Sequence, residues 1–138
     1  MYHEGIEELM RKGDWDGACT ACEAILQIQP TNAKVWGLLG VCQFRRADFV
    51  AAEANFRKAT VLDPHFVDAG VKLAQCLERQ KRYEEAFYEA SEWQKQRPND
   101  RILAGMVEFL RPYARGNKQG WEVNVGVNRT IRFAGDDL

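Results

Sequence analysis

Histidine is nearly missing from this chain of 138 residues: His3 and His65 are the only two. Histidine is the usual general acid–base and a frequent metal ligand, so its scarcity leaves little from which to build a catalytic centre. A glycine-rich phosphate loop, an H-E-x-x-H helix, a nucleophile elbow and a paired-carboxylate motif are missing too. The chain is therefore expected not to be an enzyme and to need no metal or cofactor. Charge of one sign is also lacking. The formal net charge is −1, without the basic excess that would draw nucleic acid or an anionic membrane surface. No apolar run approaches the roughly 18–20 residues of a membrane span. The N-terminal Met1–Glu8 stretch has neither the basic nor the apolar region of a signal peptide, so a cytoplasmic protein without membrane insertion is expected. Four cysteines are too few for a disulfide scaffold. What remains, 46% apolar and 28% charged residues, is the make-up of an ordinary folded chain.

Proline is scarce as well, with four residues, yet three of them keep time: Pro30, Pro64 and Pro98 stand 34 and 34 apart. Other positions keep the same step. Trp15, Phe49 and Tyr83 are in register, as are Ala18, Ala52 and Ala86, then Leu39 with Leu73 and Cys42 with Cys76. Within a period the apolar spacing is helical. Trp36, Leu39, Gly40 and Cys42 form one run; Phe49, Ala52, Phe56, Ala59 and Leu62 form a second. Between such runs Lys12-Gly13-Asp14, Arg46-Ala47-Asp48 and Gln80-Lys81-Arg82 must turn the chain. Each period thus reads as two antiparallel helices, stopped by a proline that lacks an N–H and clashes with the preceding turn. Asn32 and Asp100 are placed to cap the helices that follow.

Trp36-x-x-Leu39-Gly40 followed by Phe49, Ala52, Phe56, Ala59 and Pro64 resembles a tetratricopeptide repeat of 34 residues. The third period matches through Leu73, Ala74, Leu77, Tyr83, Ala86 and Pro98. It has Gly70 at the Trp position and Trp93 at the later Ala position. The first matches through Leu9, Trp15, Ala18 and Pro30. The resemblance implies an all-α right-handed superhelix of three helix pairs over residues 1–32, 33–66 and 67–100. A capping helix over 101–112, stopped by Pro112, completes a domain of residues 1–112, with an extended tail over 113–138. Small residues such as Gly40 and Ala59 let helices approach, and stability comes from stacking neighbours.

For function, the resemblance implies a scaffold or adaptor that binds a peptide or helix of another protein in the concave groove. Carrying the register over, the partner-binding residues would be Met10, Arg11, Lys34, Val41, Phe44, Arg45, Val71, Gln75, Arg79 and Phe109, with Glu7, Gly37, Asp68, Glu78 and Tyr113 on the same face. Arg11, Arg45 and Arg79 form a row spaced by 34, suited to acidic groups on the partner through bidentate pairing. The alternative is that these arginines only solvate helix ends or pair with Glu7, Glu78 or Asp48. The family's clamp for chaperone C-termini resembles a Lys/Asn pair, an Asn and two basic residues. His3, Glu7, Leu38, Asp68 and Lys72 stand at those places and only Lys72 fits, so that specialisation is not expected. Runs such as Leu39-Gly40-Val41-Cys42 also look loosely like type III secretion chaperones.

Cys19 and Cys22 form a C-x-x-C in mid-helix, where no helix N-terminus activates a thiolate, and they read as packing residues. Cys42 and Cys76, one helix pair apart, lie beyond disulfide reach. After residue 120 the period changes to two: Trp121, Val123, Val125 and Val127 alternate with polar or small residues, and Ile131 and Phe133 keep the parity. This is a strand signal, with Asn128-Arg129 able to turn a short hairpin. A disordered tail, self-pairing that makes a homo-oligomer through residues 117–138, and β-augmentation with a partner all remain open.

Overall fold

The computed structural model describes the backbone of residues 2–114, 121–126 and 129–133, and the side chains of residues 5–114. Seven helices run in order among them: α1 (Tyr2–Arg11), α2 (Trp15–Ile28), α3 (Ala33–Arg45), α4 (Phe49–Leu62), α5 (Val67–Arg79), α6 (Tyr83–Gln96) and α7 (Arg101–Ala114). Each packs against the helix before and after it, and α3 also touches α1 and α5 across one turn of the stack. This is the all-α helical repeat that the 34-residue period predicts.

The ends of the helices follow from local chemistry. Asn32 accepts from the Val35 N–H at 3.2 Å and Asp100 from the Leu103 N–H at 3.0 Å, as cap residues do. The Leu103 N–H, first among several donors, holds the Asp100 carboxyl below its ordinary range. Asp14 and Asp48, which end the first two turns, cap α2 and α4 in the same way. In the third turn that place is taken by Arg82, which instead reaches Glu53 at 2.7 Å. Each turn also contains one left-handed residue, at Gly13 (φ 78°), Ala47 (φ 62°) and Lys81 (φ 63°). Only the first is a glycine, so the other two hold a conformation that crowds their Cβ.

The core repeats with the register. Ala52, Ala59, Ala74 and Ala86 are fully buried, and a Cβ added at Gly40 would come within 2.8 Å of the Phe56 ring. The two departures of the third period turn out to be one feature. Trp93 fills the space above Gly70, where an added Cβ would lie 2.2 Å from the ring. In the second period the sizes are reversed: the register mates are Trp36 on the first helix and Ala59 on the second, and Trp36 packs against the core cluster that contains Ala59. The indole of Trp93 donates to Glu89 Oε1 at 3.1 Å, and Glu89 is completely buried. Its second oxygen lies 3.8 Å from Arg57 of α4. Burial outweighs that cation and the indole, and pushes the Glu89 carboxyl up to about 7.

The expected end of the last helix needs correction. α7 continues through Pro112 to Ala114 rather than stopping at 112. Proline in a final turn forfeits a single backbone bond. Packing compensates, because Ala114 is fully buried and the Tyr113 ring lies 4.4 Å from that of Tyr83. In the tail, β1 (Trp121–Gly126) and β2 (Arg129–Phe133) pair antiparallel, Trp121 opposite Phe133 and Val123 opposite Ile131. The strand signal from Trp121 is thus met by two paired strands; the residues between them, and the remaining parts of the 117–138 assembly reading, lie outside the described residues.

Candidate functional site

Of the helices that open each period, α3 touches α1 on one side and α5 on the other. Between α3 and α5 lies a pocket of about 220 Å³ lined by Val41, Phe44, Arg45, Lys72, Gln75, Glu78 and Arg79. Six of these, Val41, Phe44, Arg45, Gln75, Glu78 and Arg79, are residues that the repeat register nominates. Lys72 enters the site from one helical turn before Gln75. It was legible only as the lone match to a chaperone-tail clamp.

Three cations against one carboxylate give the pocket a positive interior. They are organised by rings rather than by counter-ions. Lys72 Nζ stands 5.6 Å from the centre of the Phe44 ring and the Arg79 guanidinium 5.5 Å from it. Phe44 itself meets the edge of Phe49 at 5.2 Å. No carboxylate forms an ion pair with Arg45, Lys72 or Arg79 among the described residues. A guanidinium held over a ring keeps its N–H edge available, and that edge matches a carboxylate.

The arginine row has a structural half that its spacing did not reveal. Arg45 lies 5.8 Å over the ring of Trp15 and Arg79 5.8 Å over that of Phe49. Tyr113, the next residue in the same series, stacks on Tyr83. Each member therefore covers the first aromatic of the preceding second helix. Arg11 begins the row and has no earlier repeat to cover; it pairs with Glu8 on its own helix. The alternative pairing of these arginines with Glu7, Glu78 or Asp48 is not seen among the described residues.

Other nominated residues are placed as follows. Lys34 is engaged by Glu7 at 3.6 Å, and Asp68 by Arg97 at 2.8 Å. Val71, expected on the groove face, is only 6% exposed and belongs instead to the core that includes Trp93 and Val107. Gly37 is covered by Phe66, and Met10 is half-buried against the first core cluster. Phe109, 61% exposed on α7, carries an apolar surface further along the groove, with Tyr113 6.3 Å away. A second concavity opens at the other end of the stack. It is an apolar cleft of about 470 Å³ between α1 and α2, walled by Ile6, Leu9, Ile25 and the exposed Ile28. It contains almost no polar group with which to orient a ligand.

Stacked antiparallel helix pairs, each packed on the next, define a helical-repeat solenoid. Residues 6–65 and 43–101 match the family model described as tetratricopeptide repeat. The chain belongs to the tetratricopeptide repeat family. Over 80 residues it is 29% identical to the BBSome complex member BBS4 homolog of Drosophila melanogaster; the match spans 58% of this chain and 16% of that protein. Among solved structures, the first repeat domain of Spaghetti (RPAP3) bound to the HSP90 peptide SRMEEVD is similar with a TM-score of 0.77 at 17% identity, covering 81% of this chain and 89% of that one. The Yersinia enterocolitica type III secretion chaperone SycD, with a peptide of the translocator YopD, gives 0.76 at 15%, covering 81% and 91%. The yeast Sti1 TPR2B domain with its Hsp70 complex gives 0.75 at 19%, covering 81% and 94%. At these identities the likeness is one of fold. No helix among the described residues is long and apolar enough to cross a membrane.

Proposed function

We propose that the chain is an adaptor that holds a peptide or helix of a partner protein in its concave groove, with an acidic group of the partner seated between α3 and α5. The observation that carries this reading is the pocket lined by Arg45, Lys72 and Arg79, with Lys72 and Arg79 against the Phe44 ring and none of the three in an ion pair among the described residues. A pocket of this size fits one side chain, so affinity must come from contacts spread along the groove. Phe44 supplies an apolar floor, and Phe109 and Tyr113 supply a second anchor toward α7. Two of the solved neighbours that share the fold are described as holding peptides of partners, which favours this use of the groove.

The way the acidic group is recognised differs from a clamp on a chain terminus. At the places where such a clamp has amide and basic side chains, this chain has Glu7, Leu38 and Asp68, two of them already engaged in ion pairs. An acidic side chain within a partner segment therefore suits the site better than the free end of a chaperone.

The test is a display selection of peptides on the intact protein, followed by fluorescence anisotropy of the best binder. Arg45→Glu is expected to weaken binding at least about tenfold, since a charge-assisted contact becomes a repulsion. Its melting temperature is expected to stay close to that of the wild type, because an exposed cation–π contact is worth only about 0.5–1 kcal/mol. Unaltered affinity, or selected peptides without acidic residues, contradicts the reading.

A further inference from the structure

The first repeat lacks bulk and polarity where the other two have them. Leu39 and Leu73 are each buried with residues of the preceding second helix, Ile25 and Leu26 for one, Phe56 and Ala59 for the other. Their register mate on α1 is Gly5, which is exposed, and an added Cβ there would meet nothing within 4 Å. The second helices change in the same sense. α4 has Asn55 and Lys58, and α6 has Glu89 and Glu92, where α2 has Ala21 and Ala24. These residues help form the apolar cleft of about 470 Å³ between α1 and α2. An apolar cavity of roughly 150 Å³ already holds a benzene-sized group, so this cleft has room for several aliphatic side chains.

The same face carries a side chain shaped to fill such a cleft. Ile28 stands at one end, at the close of α2, and is 75% exposed, more than any other large apolar residue among those described. Leu9 lies toward the opposite end, where α1 turns back into α2. A knob and a hollow on one patch suit a two-fold contact, since each copy then offers both. None of the described lining residues is charged, so two identical clefts can meet without facing like charges. Exposed Thr20, Glu23 and Gln27 border the patch on α2, where solvent screens the one charge among them. Within the chain, β1 is already placed against α4 and α6.

We propose that this face joins two copies of the chain in a two-fold dimer, with Ile28 of each copy seated in the other's α1–α2 cleft. The two α2 helices cross antiparallel, and Ala21 and Ala24 let their axes approach. Ile28 of each copy is thereby carried toward Leu9 of the other. Both clefts exchange water for an aliphatic side chain, so the driving force is apolar burial. A contact of this extent makes a weak dimer, with a dissociation constant on the order of micromolar. The pocket between α3 and α5 takes no part in the contact, and the dimer therefore presents two of them.

The experiment is sedimentation equilibrium with light scattering on the full chain, over a concentration series spanning the micromolar range. The wild type is expected to pass from one-chain to two-chain mass as concentration rises and to stop there, because an isologous contact closes on itself. Ile28→Glu is expected to raise the dissociation constant at least about a hundredfold, since each copy would then bury an unpaired carboxylate. Ala24→Lys, which gives α2 the residue that α4 has at this place, is expected to raise it at least about tenfold. Both sites are exposed, so both variants should melt as the wild type does at low concentration. Val50→Ser removes a side chain of comparable exposure from α4 and is expected to leave the dimer intact. One-chain mass at every concentration, growth past two chains, dimers that survive Ile28→Glu, or loss of the dimer in Val50→Ser would overturn the proposal. So would a wild type that stays monomeric while its cleft captures an apolar peptide from a display library.

Discussion

The second and third repeats perform the same packing task with opposite distributions of volume. In residues 33–66 the bulk lies on the first helix as Trp36, whose indole donates to the Pro30 carbonyl at 2.9 Å, while Ala59 is the small partner on the second. In residues 67–100 the bulk has crossed over: Gly70 is the small member and Trp93 the large one. The total volume is conserved to within one methyl group, the kind of exchange a packed core tolerates best. The consequences differ. Trp36 stays half-exposed and bonds to a backbone carbonyl, whereas Trp93 is buried and needs an acceptor inside the protein. Glu89 is that acceptor, and its burial follows from the exchange. What is conserved between repeats is therefore the filling of a space, and the side that fills it decides whether a titratable group must be buried.

The largest effect that would break the comparison is Trp93→Ala. It is expected to cost about 3–5 kcal/mol, because the cavity above Gly70 has no second occupant and Glu89 loses its donor; urea denaturation measures it. Changing the small partner tests the same contact from the other side. Gly70→Ala is expected to destabilise by about 1–3 kcal/mol, since the added methyl would enter the Trp93 ring. Gly105→Ala is the control. It meets nothing within 4 Å on α7 and should instead gain about 0.5–1 kcal/mol from helix propensity.

The buried carboxylate sharpens the contrast through pH. Glu89 holds its proton up to about pH 7 in the folded chain and would lose it near its ordinary value of 4.5 when unfolded. Between those values the folded state binds more protons, so stability falls as pH rises. The loss is on the order of 3 kcal/mol across that window. Glu89→Gln is expected to flatten the dependence while keeping an acceptor for Trp93, as read by denaturation at pH 5 and pH 8. The smallest effects belong to the turns. Ala47→Gly and Lys81→Gly should each stabilise by up to about 1 kcal/mol, because both residues sit at positive φ where Gly13 already stands in the first repeat. Thermal melts of the two variants check it.

Much of the fold is legible in the sequence because a 34-residue period constrains every repeat at once. Proline positions, helix runs and the Asn32 and Asp100 caps all follow from local rules. The central pocket is legible for the same reason: Val41 with Gln75 and Arg45 with Arg79 are register mates and must share a face. Departures from the period carry less information. Gly70 and Trp93 stood out singly as exceptions, but their compensation needs three-dimensional adjacency across 23 residues of chain. Glu89 reads as one more solvated charge on a helix with many. Val71 reads as groove-facing, yet α7 and Trp93 draw it into the core. The arginine row was legible as a series but not in its second role, because Trp15 and Phe49 look like interior spacers until their outer faces are seen under Arg45 and Arg79.

The central claim is that ligand binding belongs to the polar pocket between α3 and α5 and not to the apolar cleft between α1 and α2. Amide and methyl chemical-shift mapping during titration with the selected acidic peptide tests it most directly. The account predicts that saturable shifts concentrate at Val41, Phe44, Gln75 and Arg79 and extend toward Phe109. Shifts centred instead on Ile6, Leu9, Ile25 and Ile28, with the α3–α5 pocket unperturbed, would contradict it.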